Sequence, residues 1–150
     1  MTRELMVEGM GTKFGKWIRD KCRKSSKYET KNGRPGGLCV TNLDYVFESY
    51  SPIVALGCKK GLMLLEEKAK YSDLEFGQQE TFRLLDRILR EHAHEYGYVY
   101  WGFFLLQLSG IDSSPSDEGI MLLNAKQITE RELIDHIDFY HKFCDGMFDA

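Results

Sequence analysis

Cysteines are few in this sequence, and they lie far apart. Its 150 residues include four of them, at positions 22, 39, 58 and 144, without a Cys-x-x-Cys pair. Paired thiolates usually mark a structural zinc site, and closely spaced cysteines mark a disulfide framework. We therefore expect reduced thiols, a cytoplasmic location, and a fold that needs neither disulfides nor structural zinc.

Long hydrophobic segments are also missing. The longest apolar runs fall far short of the length, about 20 residues, that spans a bilayer, and the N-terminus has no apolar signal-peptide core. We expect no secretion and no contact with membranes. Internal repeats, low-complexity segments and long linkers are absent too. With 43% hydrophobic and 13% aromatic residues, the chain suits a single domain over residues 1–150.

The net charge of −3 is unevenly distributed along the chain. Residues 1–37 contain ten Lys and Arg against four Asp and Glu, so this part carries +6 and the remainder −9. We interpret residues 1–37 as a basic N-terminal helix and loop whose cations meet phosphates while Phe14, Trp17 and Tyr28 stack on bases. The alternative is a helix with a solvated basic face and with Phe14, Trp17 and Ile18 packed inward.

Apolar periodicity predicts alternating helices and strands. Residues 25–37 are rich in polar residues and glycine, which favours a loop. The order α-β-β-α-β-β-α is typical of an α/β domain with a mixed central sheet flanked by helices. We expect strands over residues 43–47, 62–69, 98–108 and 120–123, and helices over about 13–24, over 77–95 and from residue 129 onward.

Two of these helices carry further local signals. At the start of the last helix, the Thr-x-x-Glu pattern beginning at Thr129 predicts a capping box. In the middle helix, apolar side chains recur at helical spacing and predict the stripe that faces the sheet: Phe82, Leu85, Ile88 and Leu89.

The second strand is the most informative stretch, because its apolar residues run directly into charged ones. Residues 62–65 are Leu-Met-Leu-Leu, and Glu66-Glu67-Lys68 follow at once. Side chains at positions i and i+2 of a strand share a face. Glu66 and Lys68 therefore point to one side of the sheet, and Glu67 points to the other.

A further acid, Asp44, lies on the preceding strand. A symmetric hairpin turning near Ala55 would place Asp44 directly opposite Glu66, with Cβ atoms about 4.5–5.5 Å apart. Two ionised carboxylates that close repel each other unless they share a cation or a proton, so the arrangement indicates a hard metal ion bound by oxygen. The structural alternative is an exposed ion pair of Glu66 with Lys68, which would contribute about 0–1 kcal/mol.

These residues, together with Gln78 at the start of the next helix, resemble the PD-(D/E)xK nuclease superfamily. The resemblance covers residues 13–108, and the small stand-alone form looks like phage-type members. It implies a restriction-endonuclease-like core and a hydrolase that cuts DNA phosphodiester bonds with Mg²⁺, for which Mn²⁺ is a substitute. The implied partners are DNA and either a second copy of the chain or another protein.

The resemblance also implies a role for each residue. Asp44 and Glu66 would bind the metal with the Glu67 backbone carbonyl, while Lys68 would assist the water or the transition state. Gln78 would complete the catalytic set, although Gln79 competes for that role. The chemistry agrees, because a divalent ion both activates water and stabilises charge on phosphate.

Two departures from the superfamily pattern favour an alternative. Leu43 stands where many members have proline, and the first helix has no convincing acid, with Glu8 and Asp20 as weak candidates. The proline binds nothing, whereas a missing acid leaves only Asp44 and Glu66 as side-chain ligands. The alternative function is a non-catalytic nuclease-fold module that binds nucleic acid or protein.

Overall fold

The structure is a computed structural model that describes residues 13, 17, 21, 26–31, 34–36, 42–69, 72–109, 114–117 and 121–149. Contacts between residues divide the chain into two units. One consists of Met1–Asn42 with Glu75–Thr81, and the other of Leu43–Leu74 with Phe82–Ala150. The single domain expected over residues 1–150, with a basic helix and loop over 1–37, stays a prediction.

In the first unit, two short strands form an antiparallel hairpin. They are β1 (Ser26–Lys31) and β2 (Arg34–Gly36). The loop expected over residues 25–37 is therefore wrong at these strands. The dipeptide between them, Asn32-Gly33, is a strong sequence signal for a hairpin turn.

The first unit also contains helical backbone within the predicted first helix. Lys13, Trp17 and Lys21 are helical and exposed. Trp17 is 54% exposed, so the inward packing expected of this side chain is wrong. Phe14 and Ile18 lie outside the described residues.

The second unit is built on a five-stranded mixed sheet in the order β3-β4-β5-β6-β7. β3 is antiparallel to β4, β4 is parallel to β5, and β5, β6 and β7 follow in antiparallel order. The strands are β3 (Tyr45–Glu48), β4 (Lys60–Ala69), β5 (Tyr98–Leu108), β6 (Met121–Leu123) and β7 (Lys126–Ile128).

The four expected strands are confirmed, and β7 is an addition. The turn between β6 and β7 explains it, because Asn124 and Ala125 have positive φ angles of 49° and 67°. Two such residues in succession match the tight hairpin turn that pairs adjoining strands. β7 was missed because a polar three-residue strand has too little periodicity to detect.

The two helices described in full are α1 (Phe76–His92) and α2 (Glu130–Ile137). α1 supplies the crossover that the parallel strands β4 and β5 need. The capping box of α2 is confirmed, since Glu132 N–H donates to Thr129 Oγ1 at 3.2 Å and Thr129 N–H donates to Glu132 Oε1 at 2.9 Å. No helix within the described residues is long and apolar enough to cross a membrane.

Apolar clusters cover both faces of this sheet. On the first face, Leu65 and Phe104 pack with Leu133 of α2. On the second face, Leu64 and Phe103 pack with Phe82 of α1. The α/β class with a mixed central sheet is therefore confirmed, and β4 is a central strand covered on both sides, as its apolar run predicts.

The buried side of α1 differs in part from the predicted stripe. Phe82 is fully buried and Leu89 packs against the second-face cluster, as expected. Leu85 and Ile88 are 37% and 47% exposed, so the prediction is wrong for these two residues.

Asp86 occupies the buried position instead, and its charge is compensated. It is 3% exposed and accepts a hydrogen bond from the Tyr100 hydroxyl at 2.7 Å. The Arg90 guanidinium donates to both carboxylate oxygens, at 2.9 and 3.1 Å. A carboxylate can be buried when such charge-assisted bonds replace its hydration.

Candidate functional site

The pairing of β3 with β4 fixes the candidate site. The two strands are antiparallel, with Tyr45 opposite Leu65 at the start of β3. Continued by one residue, this register places Asp44 opposite Glu66, and the two carboxyl groups are hydrogen-bonded. The symmetric hairpin predicted to turn near Ala55 is therefore confirmed.

A backbone hydrogen bond holds Asp44 against β4. The N–H of Glu67 donates to Asp44 Oδ2 at 2.9 Å. The N–H and C=O of one strand residue point toward the same neighbouring strand. The Glu67 carbonyl therefore faces the Asp44 side of β4, and its role as a metal ligand stays a prediction.

Glu66 is almost completely buried. Only 1% of it is exposed, and Oε2 has no hydrogen-bond partner within the described residues. The exposed ion pair with Lys68 is therefore wrong as an account of Glu66. A buried carboxyl oxygen without a partner is costly, because hydration is lost and not replaced.

The surroundings of Glu66 favour its protonated form. Burial raises the pKa of Glu66 to about 9, and the hydrogen bond to Asp44 and the charge of Asp44 act in the same direction. The positive charge of Lys68 opposes this shift. At neutral pH the acid pair therefore shares a proton unless a cation takes its place.

Lys68 and Glu67 lie on opposite faces of β4, as alternation predicts. Lys68 follows Glu66 by two residues on the second face and is half-buried. Glu67 is 7% exposed, and its side chain follows Leu65 toward the first face. Lys68 is thus the cation that β4 places beside the acid pair.

Gln78 lies in the first turn of α1, within the first unit. Its Oε1 atom accepts a hydrogen bond from the backbone N–H of Glu75 at 3.1 Å, which is a contact local to the helix start. A catalytic role for Gln78, or for Gln79 in its place, stays a prediction. The weak first-helix candidates, Glu8 and Asp20, lie outside the described residues.

The donor set fits a particular kind of metal binding. Within the part of the chain that the structure describes, no group of three or more His, Cys, Asp or Glu side chains is placed to hold a metal ion. Asp44 and Glu66 nevertheless offer adjacent carboxyl oxygens, one of them unpartnered, beside the Glu67 carbonyl. Mg²⁺ is often bound in this way, by one or two carboxylates with waters and a substrate phosphate completing its shell.

Sequence reasoning missed a cleft of about 610 Å³ on β5, the strand next to β4. Its floor includes Leu105 and Gln107, which pair with Glu66 and Lys68 across β4 and β5. The cleft could not be predicted, because its walls come from separate parts of the sequence. It is lined by Ser72, Asp73, Leu105, Gln107, Asn124, Ala125, Cys144, Asp145, Gly146 and Met147.

Comparisons with known proteins give no further assignment. The likeness to the PD-(D/E)xK superfamily therefore depends on the residues of the site, chiefly Asp44, Glu66 and Lys68. Neither a family model, nor a curated protein, nor a solved structure matches this chain.

Proposed function

We propose that this protein is a metal-dependent deoxyribonuclease that hydrolyses DNA phosphodiester bonds. One observation carries the proposal: Glu66 is buried beside Asp44 with an unpartnered oxygen. When both acids are ionised, such a buried pair destabilises a fold unless a cation binds to it. Strongly perturbed acids of this kind cluster at functional sites.

Each residue of the site has a role in the proposed reaction. Asp44, Glu66 and the Glu67 carbonyl hold Mg²⁺ or Mn²⁺. When bound, the ion lowers the pKa of water and offsets charge on the phosphate. Lys68, on the face of Glu66, orients the attacking water or stabilises the transition-state charge. Gln78 or Gln79 contributes an amide to the same set.

The arrangement of strands supports a restriction-endonuclease-like core. The acids lie on an antiparallel pair, β3 and β4, and Glu66-Glu67-Lys68 occupy the end of the central strand β4. α1 then connects β4 to the parallel strand β5. This is the order in which the resemblance expects the acid, the ExK element and the following helix.

The first unit supports DNA as the partner. Lys13, Trp17 and Lys21 are exposed and follow one another at four-residue spacing, so they share one ridge of a helix. An exposed indole between ammonium groups suits a base that stacks between phosphates. We place the enzyme in the cytoplasm, as a small phage-type nuclease acting alone, as a homodimer or with a protein partner.

The second candidate function is a non-catalytic nuclease-fold module that binds nucleic acid or protein. It is favoured by the small number of metal ligands, because the described residues include no group of three or more His, Cys, Asp or Glu side chains that could hold a metal ion. Tyr45 and Val46 also expose 42% and 59% of their surfaces on the edge strand β3. An exposed edge strand can pair with a partner.

A cleavage assay with matched variants separates the two functions. Duplex and single-stranded DNA are incubated with Mg²⁺, Mn²⁺ or EDTA. We expect Glu66→Gln and Lys68→Ala each to lower the cleavage rate by about 10²-fold or more, since each removes charge at the reacting phosphate. The controls are Glu48→Gln on β3 and Lys60→Ala at the other end of β4. Full activity in both site variants would exclude the enzyme and favour the binding module.

A further inference from the structure

The cleft lies next to the strand that carries the proposed catalytic residues Glu66 and Lys68. Leu105 and Gln107 of β5 form part of its floor and pair in parallel register with Glu66 and Lys68. Neighbouring strands lie about 4.8 Å apart. All four side chains share the second face of the sheet, so a group bound at Glu66 and Lys68 lies one strand away from the cleft.

Hydrogen bonds hold the walls of the cleft in place. Gln107 Nε2 donates to the backbone carbonyl of Ser72 at 2.7 Å, which fixes one wall. Asn124 Nδ2 donates to the backbone carbonyl of Asp145 at 2.9 Å, which fixes another. Met147 N–H donates to the Phe103 carbonyl at 2.7 Å. A cleft built this way needs little ordering when a ligand binds.

The lining selects against phosphate and in favour of a base. The described residues that line the cleft include Asp145 and Asp73, whose Oδ1 accepts the Leu74 N–H at 2.8 Å, but no Lys or Arg. Carboxylates repel phosphate and accept hydrogen bonds from exocyclic amino groups, as Asp and Glu do with cytosine. Leu105 and Met147 add apolar surface for a ring. A volume of about 610 Å³ lies within the range of small-ligand sites.

We infer that this cleft binds the nucleobase next to the scissile phosphate and prefers bases that carry an exocyclic amino group. The inference rests on the proposed function, because a phosphate held by a metal ion at Asp44 and Glu66 would bring the neighbouring nucleoside to the cleft. Uracil and thymine present a carbonyl oxygen where cytosine presents the amino group. The carboxylates therefore repel them.

The test uses free nucleosides, because their binding can be measured without a phosphate, a metal ion or DNA cleavage. The full chain is titrated with 2′-deoxycytidine and with 2′-deoxyuridine, which differ at the exocyclic position, while NMR follows the side-chain amide signals of Gln107 and Asn124. We expect deoxycytidine to bind at least about tenfold more tightly. The combined substitution of Asp73→Asn and Asp145→Asn should abolish that preference, whereas Asp138→Asn on α2's C-terminal side should retain it.

The outcomes distinguish this inference from the proposed function. Equal binding of the two nucleosides, or no shift of either amide signal, would overturn the base-binding cleft even if cleavage depends on Glu66. A deoxycytidine preference that is insensitive to Asp73 and Asp145 would overturn it too. A carboxylate-dependent preference in a protein that cuts no DNA would support the cleft and contradict the nuclease.

Discussion

Glu66 lies opposite Asp44 across the β3–β4 pair. Asp44 accepts the Glu67 N–H at 2.9 Å, whereas Glu66 Oε2 has no partner among the described residues. The strand register brings the acids together, and at neutral pH they share a proton. The free energy of folding therefore includes an unfavourable contribution from this pair, and binding at the pair can offset it.

Glu66→Gln should stabilise the metal-free protein. The pKa of Glu66 is raised from 4.5 to about 9. Its contribution to the stability of the wild type is therefore greatest below pH 4.5 and falls as the pH rises toward 9. Glutamine has no such proton to lose, and its amide can donate to Asp44. We expect a gain in the free energy of unfolding of about 1–3 kcal/mol at about pH 8, measured with urea and EDTA.

The exposed Glu48→Gln substitution is the control for that gain, and it should change stability by less than about 0.5 kcal/mol. The gain from Glu66→Gln should shrink as the pH is lowered toward 4.5. A Glu66→Gln protein less stable than wild type under alkaline conditions would show that Glu66 is a structural group.

Divalent cations should stabilise the wild-type chain through the acid pair. Ligand binding to the folded state adds about 2.7 kcal/mol when the ligand is at 100 times its Kd. We expect Mn²⁺ or Mg²⁺ to raise the Tm of wild type and to release a proton, since the ligands must lose theirs. The rise should disappear in Asp44→Asn and Glu66→Gln. An equal rise in all three proteins would place metal binding elsewhere.

His136 should stay neutral well below its ordinary pKa. It is fully buried, and its Nδ1 accepts a hydrogen bond from the Phe143 N–H at 3.2 Å. Burial lowers its pKa from 6.5 to about 4, and the charges of Lys142 and His141 act in the same direction. Trp101 and Phe104, which pack against the ring, carry no charge.

Between pH 4 and 6.5, His136 therefore binds a proton in the unfolded chain but not in the folded protein. This effect lowers stability as pH falls from 6.5 toward 4, by up to about 3 kcal/mol, and has no effect above 6.5. NMR titration of the ring protons gives the direct measurement. A midpoint for His136 near 6.5 would contradict the buried, neutral ring.

Arg90→Ala should destabilise the fold through Asp86. The substitution removes the guanidinium from a carboxylate that is 3% exposed and leaves it the Tyr100 hydroxyl, which donates at 2.7 Å. Because the Arg90 side chain is 43% exposed, solvent screens part of the loss, and we expect about 1–3 kcal/mol by urea unfolding.

Arg87→Ala is the matched control for that loss. Arg87 lies on the same helix and pairs with Glu91, but both side chains are more than half exposed, at 78% and 55%. Its removal should cost at most about 0.5 kcal/mol. Equal losses in the two variants would show that the contacts of Asp86 do not support its burial.

Much of the site could be predicted because it depends on short-range rules. Strand alternation places Glu66 and Lys68 on one face, and hairpin symmetry places Asp44 opposite Glu66. Both follow from sequence separation alone. The capping box at Thr129 is equally local, since the Thr129 and Glu132 side chains bond to each other's backbone N–H groups.

The errors concern long-range partners. Asp86 is buried because Tyr100, fourteen residues away on β5, donates to it, and no helical pattern contains that information. The cleft likewise joins Ser72 to Asp145 through separate hydrogen bonds. Periodicity describes which face of an element is apolar, whereas the partner that compensates a buried charge is set by the tertiary fold.

Metal binding at the acid pair can be observed directly in a crystal of the full chain soaked in Mn²⁺ and recorded at the manganese absorption edge. We expect an anomalous peak within about 2.0–2.3 Å of oxygens from both Asp44 and Glu66. The Glu66→Gln crystal should lose that peak. A wild-type crystal in which Asp44 and Glu66 stay hydrogen-bonded to each other, with manganese bound elsewhere or absent, would contradict the claim.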